Sequence, residues 1–130
     1  MGNEIVYIVD SDDAVGEALA TLLHTYGIPV SFHLSAESLE RTLEKSAVQA
    51  ACIVLEVPLP DSGSLSLLRV LRGRYVNAPV IVTIRTNGHG VRRLAVEYGA
   101  TDVLEKPFLN CDLVNRILSR MSWRADRGYE

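Results

Sequence analysis

The tightest constraint on this chain is the run Ala50-Ala-Cys-Ile-Val-Leu-Glu56, followed by the turn Val57-Pro-Leu-Pro-Asp-Ser-Gly-Ser64. Small and apolar residues from Ala50 to Leu55 are too few to cross a bilayer and carry no helical stripe, so they predict a strand buried on both faces. The residue that ends the run is a carboxylate. In an open parallel α/β sheet, ligand chemistry sits just beyond the carboxyl ends of the strands, which is where Glu56 emerges.

The flanking segments supply layers around that strand. Glu4 to Val9 is β-branched and apolar, and it breaks abruptly into the acidic turn Asp10-Ser-Asp-Asp13. Asp12 or Asp13 caps a helix bearing Val15, Leu19, Leu22, Leu23 and Tyr26, which Gly27 stops. Pro29 to His33 reads as a second strand, and Ser35 opens a helix with Leu39 and Leu43 on its inner face. Beyond the central strand, Leu65, Leu68 and Leu71 mark a helix ending near Gly73, and Pro79 to Ile84 a fourth buried strand. Residues 85–90 form a polar loop before a helix with Val91, Leu94, Ala95 and Tyr98, closed by Gly99. Thr101 to Leu104 is the fifth strand, and Leu109 to Met121 a last amphipathic helix. Strands alternating with helices in this way predict a doubly wound α/β sheet whose right-handed crossovers leave few topologies.

A chain of 130 residues is one domain, expected over residues 1–122 with a polar, fraying tail at 123–130. Its formal net charge of −3 carries no electrostatic footprint for nucleic acid, so direct binding to DNA is not expected. The first residues run straight into a strand without a basic region or a cleavage site, and no apolar run approaches the roughly 20 residues of a membrane span. A cytoplasmic protein without membrane contact is expected. Cys52 and Cys111 lie far apart without a CxxC spacing, so both read as buried structural thiols.

Three stretches carry a family resemblance: Ile8-Val-Asp-Ser-Asp-Asp-Ala-Val15, Val54-Leu-Glu-Val-Pro-Leu-Pro-Asp-Ser-Gly-Ser64 and Tyr98-Gly-Ala-Thr-Asp-Val-Leu-Glu-Lys-Pro-Phe108. Together they resemble the receiver domain of two-component response regulators, particularly the nitrogen-fixation regulator type, over about residues 4 to 120. The resemblance implies a flavodoxin-like, five-stranded parallel sheet of order 2-1-3-4-5. It implies phosphoryl transfer from a histidine kinase to an aspartate ending the third strand, with Mg²⁺ held by that aspartate and an acidic pair after the first strand. Phosphoryl transfer spreads charge over equatorial oxygens, so a divalent cation, a lysine and a hydroxyl must surround it.

Several of these positions depart from the pattern. Glu56 stands where the acceptor aspartate belongs, and its extra methylene pushes the carboxylate into the phosphoryl group's space. In the acidic pocket Asp10 matches the first acid, while Ser11 replaces the second, the direct metal ligand. Ile84 takes the place of the Thr or Ser that bonds the phosphoryl oxygen; Thr83 is not expected to rescue that role, because neighbouring strand residues face opposite ways. Val103 takes the place of the aromatic switch residue. Only Lys106, followed by Pro107, is intact. Arg85 replaces a small residue and either lays its guanidinium over Glu56 and Asp10, as a substitute for the metal's charge, or swings into solvent.

Two readings of Glu56 and Lys106 stand side by side: an ion pair imitating the activated site, or an inherited pair that neutralises a pocket. The leading expectation is a pseudo-receiver, not an enzyme, that works through protein partners such as a histidine kinase, an output domain or a regulator. It needs no cofactor or metal. The family's usual contact face implies a homodimer through residues 87–121, where Arg92, Arg93, Glu97 and Asp102 either pair across the axis or form a solvated surface. The alternative is a working phosphoacceptor that uses Mg²⁺ and another carboxylate, Asp10 or Asp61. A redox switch through Cys52 or Cys111 is a third reading. Asp12, Asp13 and Asp61 otherwise read as a cap, a solvated acid and a turn residue, and none of His24, His33 and His89 reads as a metal ligand or phosphodonor.

Overall fold

The computed structural model describes residues 5–45, 50–58, 63–74, 78–85 and 89–129, with side chains described for all of these except 89 and 122–129. Ten elements alternate along the chain: β1 (Ile5–Val9), α1 (Asp13–His24), β2 (Val30–His33), α2 (Ala36–Lys45), β3 (Ala50–Val57), α3 (Gly63–Arg74), β4 (Val80–Ile84), α4 (His89–Glu97), β5 (Asp102–Glu105) and α5 (Asn110–Tyr129). The strands form one sheet of order β2-β1-β3-β4-β5, and every neighbouring pair is parallel. This is the expected doubly wound arrangement.

Every residue of β3 is buried, as its uninterrupted apolar run requires of a strand covered on both faces. Side-chain alternation sorts the core into two layers. Leu55, Val57, Val82 and Ile84 share one with the leucines of α2 and α3, while Ile8, Val54 and Ile81 share the other with Leu19 of α1 and Leu113 and Ile117 of α5.

The helix ends follow local chemistry. Asp12 is the cap of α1, its side chain accepting from the Ala14 amide, and Ser35 Oγ accepts from the Ser38 amide at the start of α2. Gly27 (φ 74°) and Gly99 (φ 106°) turn the chain out of α1 and α4 in a region that disfavours any side chain. Two expected core residues of α1 lie elsewhere: Leu22 is 36% and Tyr26 59% exposed. The buried stripe of α1 is centred on Gly16, Leu19 and Leu23, which leaves Leu22 off its edge, and Tyr26 lies past the helix end at His24. Helix α5 runs on to Tyr129, through most of the segment expected as a tail. Cys52 is buried as expected, but Cys111 is exposed, because the first turn of α5 faces it away from the sheet. Among the described residues no helix is long and apolar enough to cross a membrane.

Candidate functional site

The carboxyl ends of β1, β3 and β4 meet at the point where strand order reverses, and the last residues there are polar. Glu56 is paired in register with Thr83, and Thr83 with Leu104, while Asp10 follows Val9, the partner of Leu55. Alternation turns Asp10, Glu56 and Thr83 toward the layer covered by α1 and α5. Asp10 and Glu56 are each only 4% exposed. Two ionised carboxylates side by side and out of water require a compensating cation.

Lys106 supplies it. From just beyond β5 its side chain reaches across the end of β4, and Nζ lies 2.8 Å from both Asp10 Oδ2 and Glu56 Oε2. The remaining oxygens are also engaged. Glu56 Oε1 accepts from the Ser11 backbone amide at 2.9 Å, and Asp10 Oδ1 from the Asp12 amide at 2.9 Å. Each oxygen of both carboxylates therefore already accepts from a protein donor.

Burial is the largest influence on Glu56 and pushes its carboxyl up. The Lys106 hydrogen bond, the Ser11 amide and the lysine's charge together outweigh burial and hold it below its ordinary 4.5. Burial likewise pulls Lys106 down, but its hydrogen bonds to Asp10 and Glu56, and their charges, lift it above its ordinary 10.5. The site rests as two carboxylates sharing one ammonium.

Above this floor opens a cavity of about 580 Å³, walled by Val15, Pro107 and Phe108, with Ser11 and Arg85 at its rim. Arg85 is exposed and, among the described residues, forms no ion pair with either carboxylate; it lines the cavity, and of the two placements expected for it this is nearer the solvent one. Lys106 has already satisfied both acids. Ile84, expected at the place of the phosphoryl-bonding hydroxyl, is 1% exposed and packed in the α2/α3 layer on the opposite face from Glu56. Thr83, expected to face away, is the residue of β4 in register with Glu56 on its face, because the register of β3 against β4 sets which of the two neighbours meets it. Val103 packs half-buried against that same layer.

A divalent cation does not fit this donor set. Magnesium demands an octahedron of oxygens with one or two carboxylates free to bind it. Here Ser11 offers no carboxylate, and the Lys106 ammonium already lies between Asp10 and Glu56, bonded to one oxygen of each, where a cation bridging them would sit.

Three side-chain environments were not visible in the sequence pattern. Thr83 Oγ1 is buried and finds no hydrogen-bond partner among the described residues. His33, 8% exposed, is hydrogen-bonded through Nε2 to Ser31 Oγ (2.8 Å) and through Nδ1 to Ser38 Oγ (2.7 Å), and burial pushes its pKa below 6.5. Arg72 of α3 donates to Gly99 O (2.7 Å), Ala78 O (2.8 Å) and Thr101 Oγ1 (3.2 Å), bolting α3 to the α4–β5 turn. A basic residue late in a helix signals only a solvated end, so nothing marked Arg72 in advance.

On the expected dimer face each named charge has a partner within the chain. Arg92 pairs with Glu105 (3.7 Å), Arg93 with Glu97 (3.5 Å), and Asp102 with Arg116 (3.7 Å) and Arg120 (2.8 Å). Residues 87–88 of that face, and Asp61, lie outside the described residues.

Comparison with known proteins is consistent with this geometry. The family described as response regulator receiver domain matches residues 6–118. Transcriptional regulatory protein FixJ of Azorhizobium caulinodans is 37% identical over 127 residues, covering 95% of this chain and 57% of that protein. Response regulator protein TodT of Pseudomonas putida is 33% identical over 87% of this chain and 49% of its own length. The chain thus spans about half the length of these relatives. The solved structure of FixJ-N is similar with a TM-score of 0.72 and 31% identity, covering 92% of this chain and 93% of that one.

Proposed function

The chain belongs to the response regulator receiver-domain family, and on that premise we propose that it is a pseudo-receiver: a signalling module that acts by binding other proteins and is not phosphorylated at the end of its third strand. One observation carries this reading. The carboxylate at that position, Glu56, is committed through both oxygens, to Lys106 Nζ at 2.8 Å and to the Ser11 amide at 2.9 Å. A nucleophile must present a free lone pair to phosphorus in line with the leaving group, beside a cation that neutralises the equatorial oxygens. Lys106 and the Ser11 amide fix the direction of both Glu56 oxygens, and the extra methylene of a glutamate carries the carboxylate into the space a phosphoryl group would need. Among the described residues no cluster of three or more His, Cys, Asp or Glu could hold a metal.

The ion pair of Lys106 with Asp10 and Glu56 is formed without phosphorylation or a metal. Kinases and output domains are the usual partners of receivers, so the proposed action is contact with such a protein, without enzymatic turnover. The test is incubation of the protein with a small phosphodonor and Mg²⁺, read by intact mass. No adduct is expected. One added phosphoryl group would overturn the proposal in favour of a working phosphoacceptor using Asp10 or Asp61.

A further inference from the structure

We propose that the cavity above Asp10, Glu56 and Lys106 binds an apolar α-amino acid as its zwitterion, and that occupancy by this ligand, in place of phosphorylation, is the signal the module carries. The inference deepens the pseudo-receiver reading and rests on it, because a modified Glu56 would fill the same space.

The floor of the cavity suits an ammonium group. Asp10 and Glu56 share the single charge of Lys106, so the three together keep one negative charge in excess. A carboxylate has about four lone-pair sites, and Lys106 with the Ser11 and Asp12 amides takes one on each oxygen. The little surface these acids expose lines the cavity, so their remaining acceptor capacity is met from there. An amine needs only hydrogen-bond acceptors, not the oxygen octahedron that a magnesium ion demands. Asp12 also lines the cavity, but its carboxylate is turned to the Ala14 amide, where the positive end of α1 balances its charge.

Arg85 supplies the opposite charge at the rim. It follows Ile84, the partner of Val57, so its backbone stands one strand across from Glu56 and two residues beyond the Glu56–Thr83 pair. At about 4.8 Å per strand and about 3.3 Å per residue, that is roughly 8 Å from Glu56, within the reach of an arginine side chain. A guanidinium there holds a carboxylate through two parallel hydrogen bonds. A negative floor and a positive rim this close match an ammonium and a carboxylate one carbon apart. The wall between them is apolar: Val15 and Phe108 pack half-buried on the α1/α5 layer and, with Pro107, offer a surface to an aliphatic or aromatic side chain. The volume of about 580 Å³ lies in the range of small-ligand sites.

The lining comes from three separate connections: Ser11 and Val15 from the start of α1, Arg85 from the end of β4, and Pro107, Phe108 and Asn110 from the entry to α5. A ligand that touches all three joins them, and a partner reading that edge of the sheet then senses occupancy without phosphoryl chemistry.

The experiment titrates the intact protein with L-phenylalanine and L-leucine, followed by the backbone amide shifts of Ser11, Arg85 and Phe108. Saturable shifts at all three are expected. N-acetyl-L-phenylalanine lacks the ammonium and L-phenylalanine amide lacks the carboxylate; each should bind about tenfold or more weakly than phenylalanine, the usual loss for one charged hydrogen-bonding group. Arg85→Gln, at an exposed position, should weaken phenylalanine by a similar factor and leave the amide unchanged. The amide also stands for the amino end of a peptide, so its binding as well as phenylalanine would assign the cavity to a protein terminus and overturn the proposal. No saturable shift with either amino acid, or undiminished binding of phenylalanine by Arg85→Gln, would overturn it too. Phosphodonor labelling is a separate readout: an adduct defeats the pseudo-receiver reading, whereas no adduct and no amino-acid binding defeats only the ligand.

Discussion

Glu56 Oε1 accepts the Ser11 amide across 45 residues of sequence, so the acid that ends the central strand also holds the first turn after β1. The same carboxylate takes the lysine through its other oxygen. The residue that ends the third strand thus ties that strand to the β1–α1 turn and to Lys106.

The tie predicts an order of sensitivity. Lys106→Met removes the one cation between two carboxylates that are each 4% exposed and is expected to destabilise the fold by about 3–5 kcal/mol, the usual result of stripping one partner from a buried charge cluster. Glu56→Gln keeps an acceptor for Ser11 and leaves Asp10 for the lysine, so a loss of about 1 kcal/mol is expected. Urea midpoints at constant m value measure both. Equal losses would mean that the cluster does not depend on its cation.

The pH profile has three limbs. The Glu56 carboxyl sits below its ordinary 4.5 in the fold, so its contribution is present above about that pH and is lost as pH falls through the lowered value. Lys106 sits above its ordinary 10.5, so its contribution is present below that pH and is lost as pH rises through the raised value. His33 is depressed below 6.5; the unfolded chain takes up that proton first, and stability declines as pH falls from 6.5 toward the lowered value. Stability should therefore be greatest between 6.5 and 10.5. Thermal midpoints across pH test this, and Lys106→Met should remove the alkaline limb.

Packing of α1 gives a test remote from the site. A methyl group on Gly16 would run into the ring of Phe32 on β2. Gly16→Ala is expected to destabilise by about 1–3 kcal/mol through overpacking, despite alanine's higher helix propensity. The double variant Gly16→Ala with Phe32→Leu should recover part of that loss, measured as a shift in urea midpoint.

Metal affinity should follow the missing acid. Titration with Mg²⁺, followed by amide chemical shifts at Asp10 and Ser11, is expected to leave wild type unchanged. Glu56→Asp with Ser11→Asp shortens one carboxylate away from the Ser11 amide and adds a second ligand, so saturable shifts are expected. Saturable binding by wild type would show that Lys106 yields its place to the ion.

Much of this architecture was written locally. The unbroken apolar run of β3 announced a strand covered on both sides, and the alternation of Val80 to Ile84 placed Ile84 and Thr83 on opposite faces. That same alternation, combined with register, put Thr83 on the face of Glu56, a neighbourhood that the reading of β4 alone did not supply. Leu22 kept the spacing of a core stripe but fell off its edge, since periodicity gives a face and not the width that the sheet covers, while Tyr26 kept it past the point where the helix ends.

By itself the sequence determined the element order, the two-layer sorting of the core, and the presence of Asp10, Glu56 and Lys106 at strand ends, because periodicity and turn chemistry act over a few residues. Tertiary structure alone decided how those ends connect. Lys106 meets Asp10 across 96 residues and Glu56 across 50, Arg72 reaches Gly99 across 27, and Arg85 stands off at the rim. Such choices depend on side-chain reach over neighbouring strands and on which donors the folded sheet brings within hydrogen-bond distance of a buried oxygen. Those distances exist only once the sheet has formed.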